Sequence, residues 1–134
     1  MLGTQDPRPA IRPFSQADLP ATAEIHAQAF PRQQRSKEWI ACNAAAYPRT
    51  RLYVAEANGG LQGFILWMEK SGFRSEVVLE LEQIAVRAEY RNAGVGQALI
   101  RGSLPQVAKE LPALYSADEV LMVARAPLAA ASRQ

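Results

Sequence analysis

Two glycines, an arginine and a pair of carboxylates form the segment of this chain best suited to chemistry. Glu80 and Glu82 interrupt an apolar run, and Arg91-x-x-Gly94-x-Gly96 follows where the pattern changes from strand to helix. The first amides of a helix have no intrahelical acceptor and carry about half a positive charge. A phosphate is favoured there, and glycines let the backbone approach its oxygens closely. The spacing predicts a phosphate-binding turn that follows two strand carboxylates.

Taken alone, the two glycines allow other interpretations. They can form a strand-to-helix turn that binds nothing, or a site for nucleotide phosphates in general. The pattern is not the G-x-G-x-x-G of dinucleotide folds, and no Gly-Lys-Ser/Thr follows it. Nucleotide hydrolysis is therefore not predicted.

The elements that must position this turn begin with a strand, two helices and a hairpin. Residues 10–14 are predicted as a strand, and Asp18 as the N-cap of a helix that ends at Pro31. Ser36 is predicted to cap a second helix over residues 37–46. Strand-like segments 52–57 and 61–68 meet at Asn58-Gly59-Gly60, which tolerates the positive φ of a tight hairpin.

The phosphate-binding turn itself lies between a long strand and a helix. Residues 76–86 are predicted as the strand, and a last strand is predicted over residues 119–124. The helical pattern begins near Gly94. Pro105 predicts that this helix either kinks or ends near Gly102. If it ends there, Ser103 is predicted to begin a capping box that opens a new helix. Side chains alternate between the two faces of a strand, unless a bulge shifts the register. Simple alternation would place Leu79, Leu81 and Gln83 on one face of the long strand. The other face would then carry Glu80, Glu82, Ile84 and Val86.

The bulk properties favour one α/β domain in the cytoplasm. A chain of 134 residues fits a single domain over residues 10–134, after a flexible tail over residues 1–9. The net charge of +2 is too small to indicate nucleic acid as a partner. Cys42 is the single cysteine, so no intramolecular disulfide is expected, and no apolar run approaches the length of a membrane span.

The segment VRAEYRNAGVGQALI, residues 86–100, closely resembles the acetyl-CoA signature of the GNAT N-acetyltransferases. In that family the fourth strand ends in a valine and leads into R/Q-x-x-G-x-G/A. The resemblance extends upstream, where residues 11–30 look like the family's first strand and helix and residues 52–67 like its second and third strands. It implies a GNAT fold, a mixed central sheet flanked by helices, and transfer of an acetyl group from acetyl-CoA to a primary amine without a metal.

The resemblance also implies how the cofactor is held. Amides of the turn and the first helical residues would bind the pyrophosphate, with Arg91 beside them. The exposed edge of the fourth strand would hold the pantetheine arm like an added strand, and one of its amides would polarise the thioester carbonyl. The turn residues are Asn92, Ala93, Gly94, Val95, Gly96 and Gln97, and the strand residues are Ile84, Ala85 and Val86.

Glu82 is the candidate general base. It lies nine residues before Arg91, a spacing that matches a strand-4 glutamate proposed as base or amine-binding carboxylate in the polyamine acetyltransferases of this superfamily. Glu80 would share its face, so the pair could also form a wall that attracts a cation. The alternative is that both lie on a solvated sheet face without chemistry.

The end of the chain departs from the family pattern. Aligning Val123 with the family's strand-5 valine puts Pro127 at its asparagine and Gln134 at its tyrosine, so strands 6 and 7 are predicted to be missing. The uncovered edge of strand 5, with Leu121 and Val123, predicts a homodimer. It also favours an alternative function, a non-catalytic CoA-binding or dimerisation remnant of the family.

The remaining reactive side chains are predicted to be structural. His26, the only histidine, is expected in a packing or surface role, and Cys42 on a helix face. Tyr90 is expected to pack at the end of the strand. The resemblance implies that the region between the first two helices borders the acceptor pocket, where the side chains that would shape selectivity are Arg32, Arg35 and Trp39.

Overall fold

The computed structural model describes residues 8–72, 76–115 and 120–124. Within them the chain forms five strands and three α-helices, with short 3-10 turns at Gln16–Asp18 and Ala88–Tyr90. The predicted flexible tail, residues 1–9, lies almost entirely outside these residues. Positions 127 and 134, where the sequence differs from the family pattern, also lie outside them. In chain order the elements are β1 (Ala10–Pro13), α1 (Leu19–Ala29), α2 (Ser36–Ala45), β2 (Thr50–Ala57), β3 (Gly60–Glu69), β4 (Val77–Val86), α3 (Val95–Tyr115) and β5 (Val120–Ala124).

The five strands form one mixed sheet in the order β1-β2-β3-β4-β5. The first four run antiparallel to their neighbours, whereas β5 runs parallel to β4, from Val77 opposite Val120 to Leu81 opposite Ala124. Helices α1 and α2 cover one face of this sheet and α3 covers the other. The predicted α/β architecture is confirmed.

Alternating strand residues supply the two cores. The α3 face buries Tyr53, Ile65 and Trp67, and the opposite face buries Val54, Phe64 and Leu66. Each of these six side chains is at most 2% exposed. Burying one large apolar side chain stabilises a fold by roughly 1.5–3 kcal/mol, so both helical layers are needed to cover the sheet.

The β2–β3 hairpin turns where the sequence predicts, at Asn58 and Gly59. Their φ values are 56° and 80°, the left-handed region that a two-residue hairpin turn requires. The Asn58-Gly59 pair therefore fixes which residues of the two strands face each other.

Helices α1 and α2 begin within one residue of the predicted positions, but neither predicted side-chain cap forms. The Asp18 carboxylate does not cap α1. It reaches back to accept the Ser15 amide at 2.8 Å and pairs with Arg12 at 2.8 Å. Ser36 is the first residue of α2, after Arg35 at a φ of 62°, and its hydroxyl turns instead to His26.

Helix α3 runs without interruption through Pro105 and Pro112, so of the two alternatives that the sequence left open, a kink or an end near Gly102, the end is wrong. The reason is a stripe of buried residues, Leu99, Ser103, Val107 and Leu111, each 0% exposed and four positions from the next. Ending the helix would expose two of these apolar side chains, which outweighs the roughly 3 kcal/mol that a helical proline costs.

Ser103 lies inside this helix and caps nothing. Its hydroxyl donates to the Leu99 carbonyl at 2.6 Å and accepts the Trp67 indole N–H at 2.8 Å. Gly102 is needed beside it, because a Cβ there would lie 2.7 Å from Ile11 of β1. Helix α3 therefore packs closely on the sheet, which fixes the position of its N-terminus.

In the described part of the chain, no helix is long and apolar enough to cross a membrane. Strand β5 forms the sheet edge among the described residues, and its backbone alone is described. The homodimer and the cytoplasmic location stay predictions.

Candidate active site

A β-bulge breaks the regular pairing of β4 at Glu82. Leu66 of β3 faces Gln83 and the next β3 residue, Trp67, faces Leu81, so Glu82 is the extra residue in β4. A bulge bends its strand and increases the local twist. Strand β5 pairs with β4 only up to Leu81, so the described sheet has β4 paired on both edges before the bulge and on the β3 edge alone after it.

The bulge changes which β4 side chains share a face. Leu79 and Leu81 pack on the α3 side, and after the bulge Ile84 and Val86 pack on that same side. Simple alternation along the whole strand is therefore wrong, and the bulge resolves the alternative that the sequence left open. Gln83 lies on the opposite face, where its side chain meets Gln33.

Backbone groups of β4 beyond the bulge alternate between the two edges of the strand. The Arg87 amide donates to the Gln62 carbonyl of β3 at 2.8 Å, whereas the Val86 carbonyl accepts the Arg91 Nε from the other side at 3.2 Å. Since successive residues of a strand turn their amides to opposite edges, Val86 and Ile84 face away from β3. The amide of Ala85 faces β3, so of the three predicted strand residues only Ile84 and Val86 can offer an amide to a ligand.

Arg87 fixes the end of β4 to the hairpin and to α1. Its side chain donates to the Leu61 carbonyl at 2.8 Å and pairs with Glu24 of α1 at 2.8 Å. The next amide, of Ala88, donates to Gln28 of α1 at 3.2 Å. These contacts hold the strand end in place before the phosphate-binding turn begins. The sequence gives no local signal for them, because each partner lies on another element.

The chain forms the predicted turn at residues 91–94, and phosphate binding by it stays a prediction. Asn92 and Gly94 adopt φ values of 65° and 85°, which reverse the chain so that α3 begins at Val95. The Ala98 amide donates to the Gly94 carbonyl at 3.0 Å. The amides of Val95, Gly96 and Gln97 precede that first helical bond, and they lie at the positive end of the helix dipole.

The turn is exposed, whereas the helix behind it is anchored. Residues 91–94 are exposed to solvent, and Val95 and Leu99 are buried in the α3-side core. Ile84 and Val86 of β4 pack against that core. The outward edge of β4 and the amides of α3 are therefore held next to each other by shared apolar contacts.

The space around the two glycines is open. A Cβ added at Gly94 would meet no atom within 4 Å, and one at Gly96 would meet only Ile84 at 3.8 Å. Arg91, the first residue of the turn, donates through Nε to the Val86 carbonyl at the end of β4. Among the described residues no group of three or more histidine, cysteine or acidic side chains could hold a metal ion.

The two candidate carboxylates have different environments. Glu82 is half-buried at the bulge itself, beside the β4 edge that no other described strand pairs with. Glu80 is 9% exposed and forms an ion pair with Lys70 at 3.6 Å. Lys70 offsets the charge of Glu80, which weakens the interpretation of both carboxylates as one cation-attracting wall; that interpretation stays a prediction.

The side chains predicted to be structural are largely so. Tyr90 packs against the α3-side core, and Cys42 is exposed on α2. His26 is 0% exposed and stacks on Trp39 with ring centroids 4.7 Å apart. Burial lowers the pKa of His26, since a charged imidazolium would lose its hydration there. Arg32 and Arg35 are exposed between α1 and α2.

Comparison with known proteins identifies the relatives of this site. The family described as acetyltransferase (GNAT) domain matches residues 48–128. No curated protein matches the chain significantly.

Solved structures match almost the whole chain. A ribosomal-protein-alanine N-acetyltransferase from Brucella melitensis biovar Abortus 2308 is 18% identical over 90% of this chain and 82% of its own, with a TM-score of 0.68. AAC(6')-Iy, in complex with a bisubstrate analogue of CoA and acetylneamine, is 20% identical over 93% and 84%, with a TM-score of 0.69. A GNAT family acetyltransferase from Brucella melitensis, in complex with acetyl-CoA, is 25% identical over 74% and 68%, with a TM-score of 0.62.

Proposed function

Because this chain belongs to the GNAT acetyltransferase family, we propose that it transfers the acetyl group of acetyl-CoA to a primary amine of a small molecule or protein. One observation carries the proposal. The outward edge of β4, beyond the bulge at Glu82, leads through residues 87–94 to the amide-rich N-terminus of α3. An extended pantetheine arm and a pyrophosphate need hydrogen-bond donors in this order.

In this proposal the backbone supplies most of the donor site. The amides of Val95, Gly96 and Gln97 bind the pyrophosphate, and the Arg91 guanidinium adds a permanent positive charge. The outward backbone groups of Ile84 and Val86 bind the pantetheine arm. One of these two amides donates to the thioester oxygen, which stabilises the charge that develops on it.

Glu82 supplies the proton acceptor. An amine with a pKa near 10 is mostly protonated at neutral pH, so a base must take its proton, directly or through water. Glu82 lies at the bulge, next to the last described pair of β4 with β5 and before the outward amides of Ile84 and Val86. Acetyl-CoA supplies an activated thioester, whose C–S bond is exchanged for the amide C–N bond as sulfur departs as a thiolate. A thiolate with a pKa near 8.5 is a fair leaving group, and water can reprotonate it.

The acceptor is proposed at the level of a primary amine. The names of the similar structures point to different substrates, a ribosomal-protein alanine in one and a bisubstrate analogue that joins CoA to acetylneamine in another. Both support acylation of an amino group. They do not favour a small molecule over a protein for this chain.

Two measurements on the purified chain test the proposal. Calorimetry gives the affinity for acetyl-CoA, and release of free CoA thiol is followed with a panel of polyamines, aminoglycosides and peptides with a free N-terminus. We expect acetyl-CoA binding and amine-dependent thiol release. Binding without release by any amine would instead support the non-catalytic CoA-binding remnant, and equal affinity for ATP and CoA would support a general nucleotide-phosphate binder.

A Glu82→Gln variant connects the activity to the proposed base. It preserves the size of the side chain and removes the proton acceptor, so turnover should fall by about 10²–10⁴-fold. The affinity for acetyl-CoA should not change, because the backbone provides the donor site. Glu38→Gln, on the exposed face of α2, is the matched control and should turn over like the wild-type chain.

A further inference from the structure

A chain of hydrogen bonds runs from the buried histidine of α1 to the strand residue beside the proposed base. The Ser36 hydroxyl lies 2.6 Å from His26 Nδ1, and the side-chain oxygen of Gln33, Oε1, lies 2.7 Å from His26 Nε2. The same Gln33 oxygen accepts the side-chain amide of Gln83 at 3.2 Å. Gln83 follows Glu82 directly, so the chain ends at the bulge.

The partners fix the direction of every bond in this chain. Gln33 Oε1 is an acceptor only, so His26 Nε2 must carry the proton that it accepts. In the neutral imidazole Nδ1 is then the acceptor, and the Ser36 hydroxyl donates to it. Burial keeps the ring neutral, because it lowers the pKa of His26. With its oxygen bound to both donors, the Gln33 side chain has one orientation.

Packing fixes the imidazole ring as firmly as the hydrogen bonds do. His26 is 0% exposed, stacks on Trp39 of α2 at 4.7 Å and lies 5.2 Å from the Phe30 ring. Gln33, by contrast, belongs to an exposed connection between α1 and α2. A rigid donor in the core therefore holds an exposed side chain that would otherwise sample many rotamers.

We propose that His26 is a positioning residue for the acceptor side of the site. By orienting Gln33, it holds the connection between the first two helices, residues 30–35, against β4 beside Glu82. This connection then forms a wall next to the point where the amine must meet its base. The catalytic consequence rests on the proposed acetyl transfer, whereas the attachment of the connection to β4 does not.

Two variants break this series of hydrogen bonds at different points. His26→Phe retains a ring that can stack on Trp39 but forms neither hydrogen bond. Gln33→Ala removes the link at an exposed position, so it remains informative if the buried substitution prevents folding. His26→Gln offers an amide donor near the position of Nε2 and is the rescue variant.

Steady-state kinetics separate positioning from a purely structural role. We expect His26→Phe and Gln33→Ala to raise the KM for the amine by about 2–10-fold, the loss of about one net hydrogen bond. The kcat should stay within about twofold, and the affinity for acetyl-CoA should not change. The double variant should be no worse than either single variant, because both act through one link. Effects of the two substitutions that multiply, or an unchanged KM for the amine, would overturn the proposal.

Two measurements without turnover test the attachment itself. Nitrogen chemical shifts of the imidazole should show a proton on Nε2 and none on Nδ1. Amide hydrogen exchange over residues 32–35 should become faster in both variants and recover in His26→Gln. If the wild-type chain acetylates no amine, the proposed function fails, yet unchanged exchange would still refute the attachment and faster exchange would still support it.

Discussion

Replacing Gly94 with valine tests the turn that is proposed to bind the cofactor. Gly94 has a φ of 85°, and a β-branched residue is a true outlier in this region. Even an ordinary side chain costs roughly 1–2 kcal/mol there. The turn should therefore relax, which moves the amides of Val95 and Gly96 out of alignment.

The size of the effect follows from the bonds that are lost. A hydrogen bond to a charged group contributes about 1.5–3 kcal/mol, so losing one weakens binding by about 1.5–3 kcal/mol. At about 1.4 kcal/mol for each tenfold change, the Kd for CoA should rise by about 10–140-fold.

Thermal unfolding with and without CoA measures this loss. A ligand at about 100 times its Kd stabilises a protein by about 2.7 kcal/mol, and after a 100-fold loss of affinity by about 0.4 kcal/mol. For a chain of 134 residues these energies correspond to shifts of the Tm by about 10 °C and about 1–2 °C. Calorimetry at a single temperature gives the Kd directly.

Gly72→Val is the matched control. Gly72 also has a positive φ, 63°, and open space around it, but it lies before β4, at the opposite end of that strand from Gly94. Both variants should lose intrinsic stability, and only Gly94→Val should lose stabilisation by CoA. Equal stabilisation of both variants by CoA would refute the assignment of the site to this turn.

Three further substitutions test the packing that supports the site. Ser103→Ala leaves the buried indole N–H of Trp67 without its acceptor, so the free energy of unfolding in urea should fall by about 1–3 kcal/mol. Gly102→Ala places a methyl group 2.7 Å from Ile11 and should cost about 1–3 kcal/mol in the same measurement. Because burial lowers the pKa of His26 below its ordinary 6.5, the unfolded chain protonates before the folded one as the pH falls. Stability should therefore decrease below about pH 6.5, by at most about 1.4 kcal/mol per pH unit, and His26→Phe should not show this decrease.

Each of these expectations has a contradicting outcome. Unchanged stability of Ser103→Ala would show that the Trp67 indole finds another acceptor. A stable Gly102→Ala protein would place α3 farther from β1 than in the structure. Identical pH dependence between pH 7.5 and 5.5 for the wild-type chain and His26→Phe would show that the folded and unfolded chains bind the same number of protons at position 26.

The elements and turns that could be predicted from the sequence are those with local causes. Asn58 and Gly59 determine their hairpin because they tolerate positive φ, and Gly94 marks the turn before α3 for the same reason. The hydrophobic alternation of β2 and β3 likewise needs no knowledge of the rest of the chain.

The features that could not be predicted depend on contacts between distant residues. Trp67 and Ser103 are 36 positions apart, and Gln33 and Gln83 are 50 apart. Burial along α3 likewise determines that the helix continues through Pro105. The bulge at Glu82 did leave a signal, because the apolar spacing changes from two to three between Leu81 and Ile84. This change in spacing is a local signal, and it could have predicted the position of the bulge.

The most direct test of the proposed acetyl transfer is mass spectrometry of the amine together with release of CoA thiol in the same reaction. We predict an amine that gains one acetyl group for each thiol released, at a rate that falls by about 10²–10⁴-fold in Glu82→Gln and stays unchanged in Glu38→Gln. An acetylated amine formed equally fast by Glu82→Gln would contradict the role of Glu82. No acetylated product from any amine, with acetyl-CoA bound, would contradict the transfer itself.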